Sequence, residues 1–161
     1  MTLELKNDHS NEIKQFCSFY LDEQLFGIDI LDIKEVKDEL QITKIFHAPS
    51  YINGYQNVRG LIHMIIDLRI LLDIPYKEID MESRLILFKK NVGEDFGILV
   101  DYVEDVVDVK TSQMEMIKKD EDNKYEEIQE NLPGLCAGVC KLENELMIVL
   151  DAYKILDYIN I

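Results

Sequence analysis

The sequence has few basic residues and no long apolar run. Its 17 Lys and Arg residues are outnumbered by 32 Asp and Glu residues, which gives a net charge of −15 at pH 7. A field of that sign repels phosphate backbones and anionic lipid surfaces, so we expect no nucleic-acid partner. No stretch approaches the roughly 18 apolar residues of a membrane span, and the N-terminus lacks the basic-then-apolar order of a signal peptide. We therefore expect a cytoplasmic protein without direct membrane insertion.

Residue types that build metal and catalytic centres are also scarce. Of the three cysteines, Cys136 and Cys140 are separated by three residues, with no second pair and no histidine nearby. A four-ligand zinc site needs more than this. The three histidines are scattered, and no nucleophile elbow or phosphate-binding glycine loop is present. Residues 120–125 resemble the start of a calcium loop, but Tyr125 stands where glycine is required. We expect no catalytic residue, no cofactor and no metal, and we expect the cysteines to be small buried apolar residues in a reducing compartment.

Short apolar and β-branched runs separated by turn residues make up most of the chain. Such runs predict β-strands and hairpins, and 47% hydrophobic residues suffice to fill the interior of one domain of 161 residues. Asp67 and Asp151 precede apolar helical runs, so each is predicted to cap a short helix. One helical turn is also predicted at residues 47–52. Strands are predicted over Gln15–Leu21, Leu25–Ile30, Asp32–Val36, Gln41–Phe46, Leu61–Ile66, Arg84–Phe88, Phe96–Asp101, Tyr102–Val109, Leu132–Leu142 and Leu146–Leu150.

The chain contains an internal repeat. The ten residues from Gly27 match the ten from Gly97 in glycine, isoleucine, apolar, acidic and valine positions, and residues 65–73 match 149–157 with one extra residue after the aspartate. Each half is too small to bury a core alone. The repeat therefore predicts an all-β fold of two small β-barrels on a common interior. We expect a flexible tail at 1–14, barrel halves at about 15–80 and 81–150, a helix at 151–159, and the option of strand exchange between the halves.

The halves differ where the first has Asn57-Val58-Arg59-Gly60 and the second has Ala137-Gly138-Val139-Cys140. Gly54 and Gly60 permit positive φ or close backbone approach, and Arg59 offers a planar fork of five donors. The apolar strand that follows would hold this polar turn rigidly. We predict that the working surface lies on this unequal element, although Gly54 is explained equally well by its backbone angle alone.

A family resemblance extends from about Gln15 to Leu156. It rests on the order and spacing of several short motifs rather than on any single one. Together they resemble the CheW family of chemotaxis coupling proteins. The motifs are Phe19 and Leu21, Gly27-Ile28-Asp29-Ile30, Ile33-Lys34-Glu35-Val36, Ala48-Pro49, Ile52-Asn53-Gly54, Asn57-Val58-Arg59-Gly60, Ile66-Asp67-Leu68-Arg69 and Gly97-Ile98-Leu99-Val100-Asp101.

The resemblance implies a non-catalytic scaffold of two five-stranded, SH3-like barrels. Such a scaffold joins the cytoplasmic tip of methyl-accepting chemoreceptors to the regulatory domain of the histidine kinase CheA, in membrane receptor arrays and with the option of ring assembly with CheA. It also implies a set of partner-binding residues in and around the groove between the barrels. These are Ile33, Glu35, Gly54, Asn57, Arg59, Gly60, Leu85, Gly97, Val103 and Val106.

Two of these residues lead to a sharper hypothesis. A guanidinium beside a partly buried strand needs a carboxylate, so we predict a bidentate ion pair between Arg59 and Glu35 that fixes the turn. The alternative is an arginine that extends into solvent. Ile33, Val103 and Val106 are equally compatible with core positions.

Two other functional classes remain to be tested. The first is a small β-barrel that binds nucleic acid or oligosaccharide, which basic stripes with interleaved aromatics would favour and the net charge disfavours. The second is an adaptor in a sister pathway such as surface motility.

Overall fold

The computed structural model describes residues 12–116 and 134–159 of the chain. Over these residues the protein is mainly β, as predicted, and neither of its helices is long and apolar enough to cross a membrane. The helices are α1 (Leu68–Leu71) and α2 (Ala152–Ile159). The strands are β1 (Ile13–Leu21), β2 (Gln24–Asp29), β3 (Ile33–Lys37), β4 (Ile52–Val58), β5 (Leu61–Asp67), β6 (Arg84–Phe88), β7 (Phe96–Val100), β8 (Tyr102–Lys110), β9 (Met114–Met116), β10 (Cys136–Lys141) and β11 (Leu146–Leu150).

The strands form two sheets with the same plan. Sheet A has the order β8-β1-β2-β11-β10-β9, and sheet B has the order β3-β6-β7-β5-β4. Each sheet contains one parallel pair, β2 with β11 in sheet A and β7 with β5 in sheet B, and its other pairs are antiparallel. Among the described residues neither ladder closes into a ring. The two sheets correspond to the two predicted subdomains, as curled open sheets rather than closed barrels.

The apolar residues form three clusters because both faces of each sheet are covered. On β6, Ile86 and Phe88 lie in a large shared core between the sheets, whereas Leu85 and Leu87 lie in a smaller cluster on the far face of sheet B. Sheet A has its own far-face cluster, which includes Phe16. Strands covered on both sides read as continuous apolar runs, which is why β6 and β7 were easy to predict.

The two sequence repeats are recognisable in the structure, but the strands of each repeat are divided between the two sheets. Strands β1 and β2 of the first repeat pair with β8 and β11 of the second in sheet A. Strands β6 and β7 of the second repeat pair with β3 and β5 of the first in sheet B. The third strand of each hairpin unit thus crosses to the opposite sheet. The matched glycines, Gly27 and Gly97, both lie in crowded strands where an added Cβ would approach Met147 Sδ within 2.7 Å and Leu87 Cδ2 within 2.6 Å, respectively.

The short helices begin as predicted. The Asp67 carboxylate accepts a hydrogen bond from the Arg69 backbone N–H at 3.1 Å, and α1 ends before Pro75. The Asp151 carboxylate accepts one from the Tyr153 N–H at 2.9 Å at the start of α2. Both aspartates therefore act as N-caps, because they satisfy backbone donors that the helix leaves unpaired.

Several local predictions are wrong. The strand predicted at Gln41–Phe46 is reduced to a single bridge between Thr43 and Tyr55. The helical turn predicted at residues 47–52 is absent, because residues 47–51 form turns and bends and Ile52 begins β4. Residues 52–58, which we interpreted as a polar turn, form strand β4, and β9 was missed inside the charged connection after Lys110. The predicted tail begins to pair at Ile13, whereas its residues 1–11 lie outside the described residues. So does segment 117–133, which contains the calcium-loop-like stretch.

Candidate functional site

The hairpin of β4 and β5 has a two-residue turn at its tip. Val58 pairs with Leu61, which leaves Arg59 and Gly60 at the two central positions, and their φ angles are 50° and 85°. Two positive φ angles define the turn type whose twist suits a tight hairpin. The Asn57 side-chain oxygen accepts a hydrogen bond from the Gly60 N–H at 2.9 Å. The polar turn predicted from sequence therefore exists, but it is two residues long.

Arg59 pairs with Glu35 of β3, as predicted. The contact joins Arg59 Nη2 to Glu35 Oε1, and the two side chains are 65% and 25% exposed. The bidentate geometry was predicted wrongly, because a single nitrogen makes the contact. The pair spans from the hairpin tip of β4 and β5 to β3, which is the opposite edge of sheet B. It is the only connection between those edges that a charged side chain makes among the described residues.

Glu35 lies on the face of sheet B that carries the far-face apolar cluster. It stands opposite Leu87 in the ladder, and directly opposed residues of paired strands point to the same face. That face carries the cluster of Val58, Ile65, Leu85, Leu87 and Leu99. Arg59 therefore reaches a carboxylate that borders an apolar interior, while most of its own side chain faces solvent.

Residues 38–43, here called the strap, bridge the gap between the two edges of sheet B. Leu40 and Ile42 of the strap pack against the far-face cluster. The buried Gln56 side chain accepts a hydrogen bond from Gln41 N–H at 2.7 Å and donates one to Glu39 O at 2.9 Å. A side-chain amide thus takes backbone groups that a longer ladder would use, which explains why the predicted third strand did not form.

Gly54 lies where the backbone leaves no space for a side chain. It is buried in β4, and a Cβ there would lie 2.2 Å from Thr43 O of the strap. The strap comes this close because Thr43 and Tyr55 exchange two backbone hydrogen bonds of 2.7 and 2.8 Å. Close approach of the strap backbone is therefore a structural reason for glycine at this position, and the partner-binding role of Gly54 stays a prediction.

The remaining predicted site residues fall into two groups. Ile33 and Leu85 are buried, in the shared core and in the far-face cluster of sheet B, and Gly97 is buried in β7 beside Leu87. Their side-chain positions offer no surface to a partner. Val103 and Val106 lie on β8, an edge strand of sheet A, where Val103 is half-buried and Val106 is 47% exposed. The structure brings together Glu35, Asn57, Arg59 and Gly60.

A second arginine network was missed. Arg69 follows the cap of α1 and is buried, and its Nη1 contacts Asp22 Oδ1 at 2.7 Å and Asp101 Oδ2 at 2.5 Å. Its Nε donates to Pro75 O at 2.8 Å. Burial lowers the pKa of Arg69, but hydrogen bonds and charge from Asp22 and Asp101 outweigh that effect, so the net pKa is raised. The network joins the β1–β2 turn, the start of α1 and the β7–β8 junction.

The sequence held a signal for this network. Arg69 stands inside the apolar run from Leu68 to Leu72, and a charge within such a run needs a partner when the run is buried. The partners come from distant turns, so the sequence alone did not identify them.

The cysteines are free and buried, as predicted. Burial raises the pKa of the Cys136 thiol to about 11, and its Sγ donates to Gly138 O and Val149 O at 3.2 Å. A thiol with so high a pKa is protonated at neutral pH and is a poor nucleophile.

Comparison with known proteins gives a consistent result along the chain. Residues 15–160 match the family model described as the CheW-like domain. The chain is 29% identical over 161 residues to the chemotaxis protein CheW of Bacillus subtilis, covering 98% of this chain and 92% of that protein. It is 33% identical over 102 residues to the chemotaxis protein CheW of Klebsiella aerogenes, covering 63% of this chain but only 60% of that protein.

A solved structure shows the same arrangement of strands. The crystal structure of the scaffolding protein TtCheW from Thermoanaerobacter tengcongensis superposes with a TM-score of 0.74 at 28% identity. The match covers 86% of this chain and 89% of that one.

Proposed function

The chain belongs to the CheW-like family and is a chemotaxis scaffold, and we propose that it couples the cytoplasmic tip of methyl-accepting chemoreceptors to the regulatory domain of the histidine kinase CheA. We further propose that it acts in the cytoplasm and reaches membrane receptor arrays through these partners. In this role it needs no cofactor and catalyses no reaction.

The observation that carries this proposal is the exposed Arg59 on a rigid turn. The hairpin tip is held by backbone pairing, by the Asn57 side chain and by the ion pair to Glu35. A binding residue on such a support loses little conformational entropy when a partner docks. Arginine is also among the residues most enriched at interface hot spots.

Two surfaces on different sheets suit a protein that holds two partners at once. Arg59 and Glu35 lie on sheet B, whereas the exposed Val106 lies on the edge strand β8 of sheet A. An exposed valine on an edge strand is a candidate contact for apolar docking. We propose that both surfaces bind protein partners, and that ring assembly with CheA uses the same two-sheet plan.

A binding titration tests the proposal. The full chain is titrated with a purified CheA regulatory domain and, separately, with a receptor-tip fragment from the same organism. We expect micromolar-range affinities typical of transient interfaces. Arg59→Ala weakens binding to at least one partner, whereas Lys90→Ala, which removes an exposed positive charge from the β6–β7 loop, leaves it unchanged.

The rival classes give different outcomes in the same assay. Salt-sensitive binding of an oligonucleotide, or retention on an oligosaccharide column without kinase or receptor binding, would contradict the proposal. Selective binding of receptors and kinases from a surface-motility pathway would favour the sister-pathway adaptor.

A further inference from the structure

The tip of the β4–β5 hairpin places an arginine where the backbone disfavours it. Arg59 has φ of 50°, in the left-handed region that penalises residues with a Cβ. Turns of this type prefer asparagine, aspartate or glycine at that position. Gly60 at the next position has nothing within 4 Å of an added Cβ, so its glycine suits the angle rather than the space. An unfavourable residue held in such a position is a reason to look for function.

Asn57 adds a side-chain hydrogen bond to this turn, beside the backbone pairing of Val58 with Leu61. Its side-chain oxygen accepts from the Gly60 N–H at 2.9 Å, while the adjacent Arg59 contacts Glu35 on the far edge of the sheet. The corresponding β10–β11 connection of the second repeat is closed by a backbone bond from Leu142 N–H to Glu145 O at 2.9 Å. Both connections therefore have backbone pairing, and the β4–β5 tip has in addition the side-chain bond from Asn57 beside the arginine.

We propose that Asn57 is a positioning residue that acts through Arg59, and not a residue that contacts a partner itself. By fixing the Gly60 N–H it keeps Arg59 left-handed, and from that backbone conformation the guanidinium reaches Glu35 across the mouth of sheet B. This refines the family-based expectation that Asn57 binds a partner directly. Its binding readout rests on the proposed function given above.

A double-mutant cycle separates the two roles. Affinity for the receptor-tip fragment and for the CheA regulatory domain is measured for Asn57→Ala, Arg59→Ala and the double variant. We expect each single variant to weaken binding on the order of tenfold, the factor that corresponds to about 1.4 kcal/mol. We expect the double variant to bind no more weakly than Arg59→Ala, because a residue that acts through another has no effect once that residue is gone. If the two losses multiply, Asn57 contacts the partner itself and the proposal is overturned.

A second readout does not depend on any partner. The side-chain ¹H–¹⁵N signal of Arg59 is followed by NMR in the free protein. We expect its chemical shift and its protection from solvent exchange to match the ion-paired state in the wild type and in Asn57→Asp, which keeps the accepting oxygen. We expect both to shift to values typical of a solvent-exposed arginine in Asn57→Ala. Gln15→Ala, which removes an exposed amide that bonds Asp108 on sheet A, is the matched control and leaves the signal unchanged.

The two readouts distinguish failure of the inference from failure of the proposed function. If the wild type binds neither partner but Asn57→Ala releases the Arg59 signal, the proposed function is wrong and the positioning role stands. If the Arg59 signal is the same in Asn57→Ala and in the wild type, the positioning role is wrong, whatever the affinities are.

Discussion

Arg59 and Arg69 lie at the two ends of β5 and pair with carboxylates in opposite surroundings. The Arg59 side chain is 65% exposed and touches one carboxylate, Glu35. The Arg69 side chain is 8% exposed and touches two, of which Asp101 is itself 11% exposed. Both link segments that are distant in the chain. The Arg59 pair lies at the surface, and the Arg69 network lies inside the fold.

The contribution of an ion pair to stability depends on how exposed the pair is to solvent. An exposed pair is screened by water and salt, so it contributes little to stability and its arginine is available to a partner. A buried pair adds little over an apolar replacement, but removal of one member leaves an uncompensated charge. We therefore propose that Arg59 serves binding, and we expect Arg69 to serve the integrity of the fold.

The largest expected effect is that of Arg69→Ala. The variant leaves Asp101 buried without its cation, and such a loss destabilises a protein by about 3–5 kcal/mol. Urea unfolding followed by far-UV circular dichroism measures the change. The double variant Arg69→Ala with Asp101→Asn is the control, and it should recover part of the loss because the unpaired charge is gone. A loss of less than about 1 kcal/mol in the single variant would show that water relieves the site and that the comparison is mistaken.

The next largest effect is expected for Gly54→Ala, which disturbs the strap. Gly54→Ala places a Cβ 2.2 Å from Thr43 O, so the strap has to move, and overpacking of this kind costs about 1–3 kcal/mol. We expect the same variant to weaken partner binding, because the strap and the hairpin tip share β4. Denaturant unfolding and the binding titration measure the two effects. Unchanged stability would show that the strap is not held against β4 in solution.

Arg59→Ala is expected to change the free energy of unfolding by less than about 1 kcal/mol, since the pair to Glu35 is exposed. Arg59→Gly should be at least as stable as Arg59→Ala, because glycine tolerates a positive φ. Both variants should lose partner binding. If either variant loses as much free energy of unfolding as Arg69→Ala does, the division between a binding arginine and a folding arginine does not hold.

The salt dependence of stability should also distinguish the Arg59 pair from the Arg69 network, with a smaller effect. The stability difference between wild type and Arg59→Ala should shrink as salt is raised from about 0.05 M to about 0.5 M, because exposed charges are screened beyond a short distance. The difference for Arg69→Ala should stay nearly constant, because solvent ions do not reach the buried pair. Equal salt dependence of the two differences would contradict the assignment.

The last effect is absent at neutral pH and is expected only at alkaline pH, where the buried Cys136 thiol titrates. Burial raises the pKa of Cys136 from 9.0 to about 11. The unfolded chain therefore releases this proton first, and the free energy of unfolding should fall as pH rises from about 9 towards 11. Urea midpoints across this range are compared in wild type and Cys136→Ala. We expect a shallower fall in the variant, and parallel curves would show that Cys136 is not the group responsible.

Much of the local structure follows from the sequence. Alternation and continuous apolar runs located most strands, as for β6 and β7, because a period of two residues is a property of the strand itself. Asp67 and Asp151 were identified as caps because a short acceptor before a helical run satisfies free N–H groups. The pairing of Arg59 with Glu35 was predicted from the family motifs that carry both residues, together with the need of a guanidinium beside a strand for a carboxylate. The predicted bidentate geometry was wrong, because a single nitrogen makes the contact.

Other features depended on contacts between distant residues. The segment at residues 41–46 has strand-like alternation, but the Gln56 side chain accepts the hydrogen bond of the Gln41 N–H, and only Thr43 pairs with a neighbouring strand. Leu85 and Gly97 were predicted from the resemblance to bind a partner, yet they are buried and pack within sheet B. The periodicity of a sequence does not distinguish a residue that packs inside the fold from one that contacts a partner.

Local sequence patterns were enough to locate most of the strands, the turn at Arg59 and Gly60, the helix caps and the repeat, because each depends on chemistry within a few neighbouring residues. The tertiary structure alone decided that each repeat divides its strands between two sheets and that Arg69 is the buried arginine and Arg59 the exposed one. Burial and strand pairing depend on which remote segments pack together, and the pattern along the chain does not contain that information.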